Sequence, residues 1–254
     1  FHYFAGFTGG RKSIVPGVAS ARTIAANHSR TIDVAGCRPE PSVEIGRLQG
    51  NPVAEDLAEA AAMCPVRSSV QTVLDGRGEI VGLFAGEMVK MHDLACRRAR
   101  EVFAVPNTPA ADIVVANAGS VKNWVQSHKS LVNASRAVGQ GGIIILHAPC
   151  PEGLGSKSFE FWLEKGSPKA IIDGLAGCAD INAQTAFSTL VRGRNTLLHT
   201  IMPEVTVEMM GMINAVSLED ALREASRQLA EQGIRQPRLR FMPEAWLTVP
   251  VADG

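Results

Sequence analysis

Apolar positions change their period along the chain, and the changes mark out the elements. From Val53 to Met63 the run VAEDLAEAAAM carries its apolar residues at helical spacing, with Asn51-Pro52 as a start signal. Val66–Leu74 and Glu79–Phe84 alternate instead, and Asp75-Gly76-Arg77-Gly78 between them predicts a β-hairpin. A helix from about Glu87 to Val102 follows. Ahead of these, residues 1–20 form a Gly/Ser-punctuated loop that leads into a short helix near Ala21–Asn27. Pro39, Pro41 and Pro52 break any period between residues 30 and 52, which predicts irregular structure there.

After Pro106-Asn107-Thr108-Pro109, a candidate domain boundary, the rhythm is different. Asp112–Asn117 and Gly142–His147 are short, almost wholly apolar strands, and a further strand is expected at Thr196–Ile201. Helices are predicted at Asn123–Val138, near 156–164, 167–175 and 182–192, and at Leu218–Gln232. Apolar strands that alternate with helices imply a parallel sheet with helical crossovers. The expected fold is therefore α/β: residues 1–106 as part of a first α/β domain, and residues 107–236 as a Rossmann-like α/β domain. Residues 237–254, which include the strand-like stretch Arg238–Val251, are expected to return as a strand to the first domain. No internal repeat is visible.

Composition narrows the function classes. With 25 basic and 25 acidic side chains among 254 residues the formal charge is zero, which argues against a nucleic-acid or acidic-membrane partner. A hydrophobic share of 46% is enough for a real core, and 5% aromatics with 24 glycines suits helices lying close on a sheet. The five cysteines (Cys37, Cys64, Cys96, Cys150 and Cys178) are odd in number and lack metal-ligand spacing, so free thiols in a reducing cytoplasm are expected. No apolar run approaches the roughly 18 residues of a membrane span, and no basic-then-apolar leader opens the chain. The chain begins Phe1-His2-Tyr3-Phe4 without Met, so either a processed or cropped piece of something longer or a lost true start is expected.

The densest chemistry lies at the front, in His2-Tyr3-Phe4-Ala5-Gly6-Phe7-Thr8-Gly9-Gly10-Arg11-Lys12-Ser13. Glycines let backbone N–H groups approach a phosphate, and a following Lys and Ser add donors. The spacing is not that of a P-loop, because Arg11 intervenes between Gly10 and Lys12 and no buried strand precedes the loop. His2, Lys12 and His28 fall within 27 residues. A His serves as acid, base or metal ligand near neutral pH, and a Lys crowded by Arg11 can act as a nucleophile or covalent anchor. His92, His128, His147 and His199 have no partner at a diagnostic spacing and are taken as structural. So is Cys150, although it sits in a loop after a strand end, where α/β sites form; Glu152 in that loop is a weak supporting candidate.

His2 with AGFTGGRKSIVPG and Ala25-Ala26-Asn27-His28 resembles the nickel-pincer-nucleotide lactate racemase family. Four later stretches agree in order: Gly50-Asn51-Pro52 with Glu55-Asp56; Gly82-Leu83-Phe84-Ala85-Gly86; Gln126-Ser127-His128-Lys129; and Cys150-Pro151-Glu152-Gly153-Leu154-Gly155-Ser156. The resemblance implies a racemase or epimerase of a 2-hydroxy acid, an isomerase that works by reversible hydride transfer to a nickel-pincer nucleotide through a planar 2-keto acid. It makes residues 1–106 the second half of a cofactor-binding α/β domain, Lys12 the covalent anchor of the cofactor, His28 the protein ligand on nickel and His2 a catalytic acid/base. Gly9, Gly10, Arg11 and Ser13 fall to the cofactor loop, while Gln126 and Lys129, at i and i+3 on one helix face, fall to substrate binding. It also implies cofactor-biosynthesis proteins as partners, and a second catalytic His with the ribose and phosphate contacts in a segment before His2. One position departs: Val125 stands where the lactate racemases carry an aromatic residue, which points to a different 2-hydroxy acid. The family's later substrate-facing aromatic has no clear counterpart; Gln184 and Phe187 fall nearby. The alternatives are a catalytically incomplete, non-catalytic α/β fragment, and a nucleotide-binding protein that uses the 5–13 loop.

Overall fold

The computed structural model describes residues 1–107, 109–175 and 180–251. The chain divides into two compact units, one of Phe1–Ala104 with Leu175–Gln184, the other of Val105–Gly174 with Thr185–Gly254. Thr108 and Cys178 lie outside the described residues.

The first unit begins with α1 (Ala21–His28), which Ser20 caps by accepting from the Thr23 N–H at 3.2 Å. Two-residue strands β1 (Ile32–Asp33) and β2 (Arg38–Pro39) pair across the irregular stretch. Helix α2 (Pro52–Ala62) starts where Asn51-Pro52 predicts. The hairpin is formed by β3 (Ser69–Leu74) and β4 (Ile80–Gly86), antiparallel, and α3 (Met88–Phe103) packs on it behind an N-cap at Glu87. Phe7, Val73, Ala95, Cys96 and Ala99 fill the space between hairpin and helix. A second cluster, Phe4, Ala5, Val15, Val53 and Leu57, joins the opening loop to α2. The outer side of the hairpin is apolar and open: Val70, Ile80 and Leu83 are each more than 60% exposed.

The second unit is built on a five-stranded, wholly parallel sheet. Strand β5 (Ala104–Pro106) precedes it. The sheet strands are β6 (Ala111–Asn117), β7 (Val138–His147), β8 (Thr196–His199), β9 (Ile213–Asn214) and β10 (Leu239–Met242), in the order β10-β6-β7-β8-β9. Between them run α4 (Trp124–Ala137), α5 (Lys157–Leu163), α6 (Pro168–Leu175), α7 (Ile181–Gly193), α8 (Glu204–Met209) and α9 (Leu218–Glu231). One sheet face presents Ile113, Ile143, Ile145 and Leu197 to Ala221, Ala225 and Leu229 of α9, all buried. Alternate residues Val114, Ile144, Leu146 and Leu198 are buried as well. Both faces are covered, which explains why these strands appear as unbroken apolar runs.

Two expectations change. Arg238–Val251 holds two strands, not one. The first, β10, stays in the second unit as the neighbour of β6, because α9 carries the chain across the sheet to its far edge. Only β11 (Val249–Val251) pairs outside that sheet, with β5. Helix α8 and strand β9 were not anticipated; six and two residues are too short to show a period. Among the described residues no helix is long and apolar enough to cross a membrane.

Candidate functional site

The first seven residues close into a tight aromatic loop. The His2 N–H donates to the Gly6 carbonyl at 2.8 Å. Nδ1 of His2 accepts from the backbone N–H of Phe4 (3.4 Å) and of Ala5 (3.3 Å). A ring nitrogen that accepts carries no proton, so the neutral imidazole of His2 holds its proton on Nε2. The ring of Phe4 is the centre of the group. Its centroid lies 4.2 Å from that of His2, 4.6 Å from that of His28 and 5.7 Å from Nζ of Lys12. The structure therefore gathers His2, Lys12 and His28 about one aromatic neighbour.

His28 is 1% exposed at the end of α1. Its Nδ1 lies 2.7 Å from the Ile24 carbonyl one turn back, which fixes the proton on Nδ1. Nε2 is left as a buried lone pair with no partner. Burial lowers the pKa of this imidazole and the Lys12 ammonium adds to the effect, so the ring is neutral at pH 7. A neutral imidazole with a carbonyl behind it and a bare nitrogen in front is how a protein presents a metal ligand. Among the described residues no three His, Cys, Asp or Glu side chains form a metal cluster. An ion on His28 would take its remaining donors from a bound group or water.

Neighbouring polar residues hold α1 and the loop in place. Nδ2 of Asn27 donates to the Val53 carbonyl (3.1 Å) and to Asp56 (2.8 Å), which also pairs with Arg30 at 2.9 Å. Asn51, fully buried, accepts from the N–H groups of Val53 and Ala54 and donates to the carbonyls of Phe4 and Arg47. Two of the recognised sequence stretches thus meet as a scaffold beneath the site. Gln184 donates to the His28 carbonyl, and its Oε1 is buried without a partner.

The glycine-rich loop has a different role from the one its composition suggests. Residues Gly10–Ser13 form a single 3₁₀ turn. The Gly10 N–H donates to Oε1 of Gln71 at 3.0 Å, and the Lys12 N–H to the Gly9 carbonyl at 2.9 Å, so neither lies open to a phosphate. A Cβ on Gly10 would stand 2.4 Å from Cγ of His92, and φ there is +49°. Gly10 is required by the close approach of His92. His92 faces Arg11 at 3.4 Å through Nδ1 and the Thr8 carbonyl at 2.9 Å through Nε2. Arg11 therefore turns to His92 while Lys12 turns to Phe4. His92 and Gln71, which hold the turn that carries Lys12, have no sequence signal, since their partners lie 84 and 61 residues away. Ser13 is exposed.

In the second unit, Gln126 and Lys129 are exposed on the first turns of α4. Asn123 caps this helix through the Gln126 N–H (3.2 Å). The recognised loop 150–156 grips the same end: Trp124 and Val125 donate to the carbonyls of Gly153 (3.0 Å) and Leu154 (3.3 Å), and Glu152 donates to that of Lys122 (2.8 Å). His128 is buried against Ser188, and its pKa is pushed down to about 3 by burial and then by the Arg192 guanidinium, so it is a neutral packing group. Cys150 is buried beside Ser127 (3.4 Å), and burial raises its pKa; it is an inert thiol in spite of a strained φ of +48°. Glu152 pairs with Lys122 at 3.5 Å on the surface. Phe187 is core.

A bare buried imidazole nitrogen, a lysine across the same ring and a second imidazole make this the candidate site of the first unit. Comparison with known proteins supplies the family. Residues 1–37 match the lactate racemase N-terminal domain, and residues 106–236 the lactate racemase C-terminal domain. The chain belongs to the lactate racemase family. It is 35% identical over 166 residues to a lactate racemase of Thermoanaerobacterium thermosaccharolyticum, covering 65% of this chain and 38% of that one. With that of Lactiplantibacillus plantarum it shares 34% over 176 residues, 68% of this chain and 40% of the relative. The lactate racemase apoprotein structure from T. thermosaccharolyticum superposes with a TM-score of 0.85 at 27% identity, over 100% of this chain and 60% of that one. A Thermotoga maritima protein shares the fold, with a TM-score of 0.70 at 16% identity. The chain spans well under two thirds of the length of these racemases.

Proposed function

We propose that this chain carries the cofactor anchor, the metal ligand and one acid/base of a 2-hydroxy-acid racemase or epimerase. The observation that carries the reading is the buried, unpartnered Nε2 of His28 beside Phe4, with Lys12 on the same ring. These residues fit a nickel-pincer nucleotide: Lys12 would hold it covalently and His28 Nε2 would complete the nickel's coordination. When bound, that group supplies a reversible acceptor for the hydrogen and electron pair on the carbon that bears the hydroxyl.

The protein's own part is proton handling and positioning. As imidazolium, His2 donates from Nε2 to the carbonyl oxygen of the planar 2-keto acid, which restores the hydroxyl and leaves the ring neutral. Removal of the hydroxyl proton requires Nε2 bare and Nδ1 protonated, at the expense of two long hydrogen bonds from Phe4 and Ala5. Because the keto acid is planar, hydrogen could re-enter from either face, and entry on the opposite face would invert the stereocentre. To Gln126 and Lys129 we assign recognition of the acid's oxygens. Half-buried Val125, smaller than an aromatic residue, suits a substrate side chain larger than a methyl. Free thiols at exposed Cys37 and Cys64 favour a reducing cytoplasm.

The test is to produce the protein together with cofactor-biosynthesis proteins, and to follow both the mass of the Lys12 peptide and the racemisation of a panel of 2-hydroxy acids. A mass increment on Lys12 is expected, absent in Lys12→Ala. His28→Ala should keep the increment and lose the metal. Full activity with unmodified Lys12 overturns the proposal.

A further inference from the structure

Strands β6, β7 and β8 end on Asn117, His147 and His199, which the parallel register sets side by side. This is the carboxyl edge of the sheet, where open α/β folds place their ligands. Asn117 is committed to the backbone: Oδ1 accepts from the Gly119 N–H at 3.0 Å, and Nδ2 donates to the Pro243 carbonyl at 3.1 Å. The two histidines face each other. Their Nδ1 atoms share a hydrogen bond at 2.8 Å, one ring donating and the other accepting, with ring centroids 4.9 Å apart and planes 28° from parallel. Both rings are half-buried.

That separation selects a coordination geometry. With metal–imidazole bonds of about 2.1 Å, two nitrogens 2.8 Å apart subtend about 84° at the ion, whereas a tetrahedral ion needs them about 3.4 Å apart. Right-angled cis positions belong to square-planar and octahedral ions. We propose that His147 and His199 form a two-histidine half-site for a divalent transition ion with right-angled coordination, bound through both Nδ1 atoms. The remaining positions fall to water or a small anion, since no third ligating side chain joins the pair among the described residues. Binding replaces the proton shared between the two Nδ1 atoms; it moves to Nε2 of the same ring, so that both neutral rings present a bare Nδ1. Burial, reinforced by the neighbouring ring, lowers the pKa of His147 and favours that neutral form at pH 7. An open, two-ligand site exchanges its ion readily and is distinct from a metal held by His28.

Co²⁺ is a suitable probe because its visible bands report coordination number and its unpaired electrons broaden nearby NMR signals. Titration of the chain with Co²⁺ is expected to broaden the ring C–H signals of His147 and His199 together and saturably, with the weak bands of a six-coordinate ion. His147→Ala and His199→Ala should each weaken binding roughly ten- to a hundredfold. If either variant fails to fold, the wild-type broadening decides alone. Broadening confined to other histidines, no broadening at all, or the intense bands of a tetrahedral ion would each overturn the proposal.

Discussion

In residues 105–174 and 185–251, the polar backbone is answered mainly by other backbone, strand to strand and turn to turn. In residues 1–104, much of it is answered by buried side chains: Asn51 holds Phe4 and Arg47, Asn27 holds Val53, Gln71 holds Gly10 and His92 faces Thr8. A regular sheet needs only apolar residues on its faces. An irregular loop that must present His2, Lys12 and His28 together needs a fixed polar partner for each turn, because every unpaired buried group costs about 1–3 kcal/mol. The second unit should thus be sensitive to lost volume and the first to lost hydrogen bonds.

Four measurements bear on that contrast. Ile145 is fully buried between the sheet and α9, and Ile145→Ala should lower unfolding stability by about 4 kcal/mol in denaturant titration, with the effect confined to the second unit's transition. Asn51→Ala removes little volume yet should cost about 3 kcal/mol, since it strands two helix N–H groups and two carbonyls; a cost below about 1 kcal/mol would contradict the polar-anchor account. Gly10→Ala should cost about 2 kcal/mol through the collision with His92 and the positive φ. Combined with His92→Ala it should cost less than the sum of the two, as a double-mutant cycle reads out. The smallest effect, taken per pH unit, is a slope. His128 takes a proton near pH 6.5 when unfolded but only near pH 3 when folded, so the stability it contributes is complete above about pH 6.5 and is lost as pH falls toward 3. The loss is at most about 1.4 kcal/mol per pH unit, and His128→Gln should flatten it in acid titrations of stability.

The same contrast explains what the sequence disclosed. The hairpin, the helix starts at Asn51, Glu87 and Asn123, and strands β6, β7 and β8 all carry local signals, and each forms where its pattern predicts. Strand β10 did not, because its place beside β6 depends on where α9 delivers the chain. In the site, His2, Lys12 and His28 were visible through the family resemblance; the residues that hold them were not, since Gln71 and His92 act across 61 and 84 positions. The His147–His199 pair is hidden for the same reason: strand register, not spacing along the chain, makes them neighbours.

The grip of loop 150–156 on the start of α4 also orders events in time. Trp124 and Val125 find their carbonyl partners only after β7 has crossed the sheet and turned at Cys150, 25 or more residues later. The rear of α4 can wind early from local contacts, but the turn that presents Gln126 and Lys129 must set last. During refolding, amide protection at Trp124 and Val125 should therefore lag behind that of Leu131–Ala134, and the Gln126–Lys129 end of the helix should be its slowest part to mature.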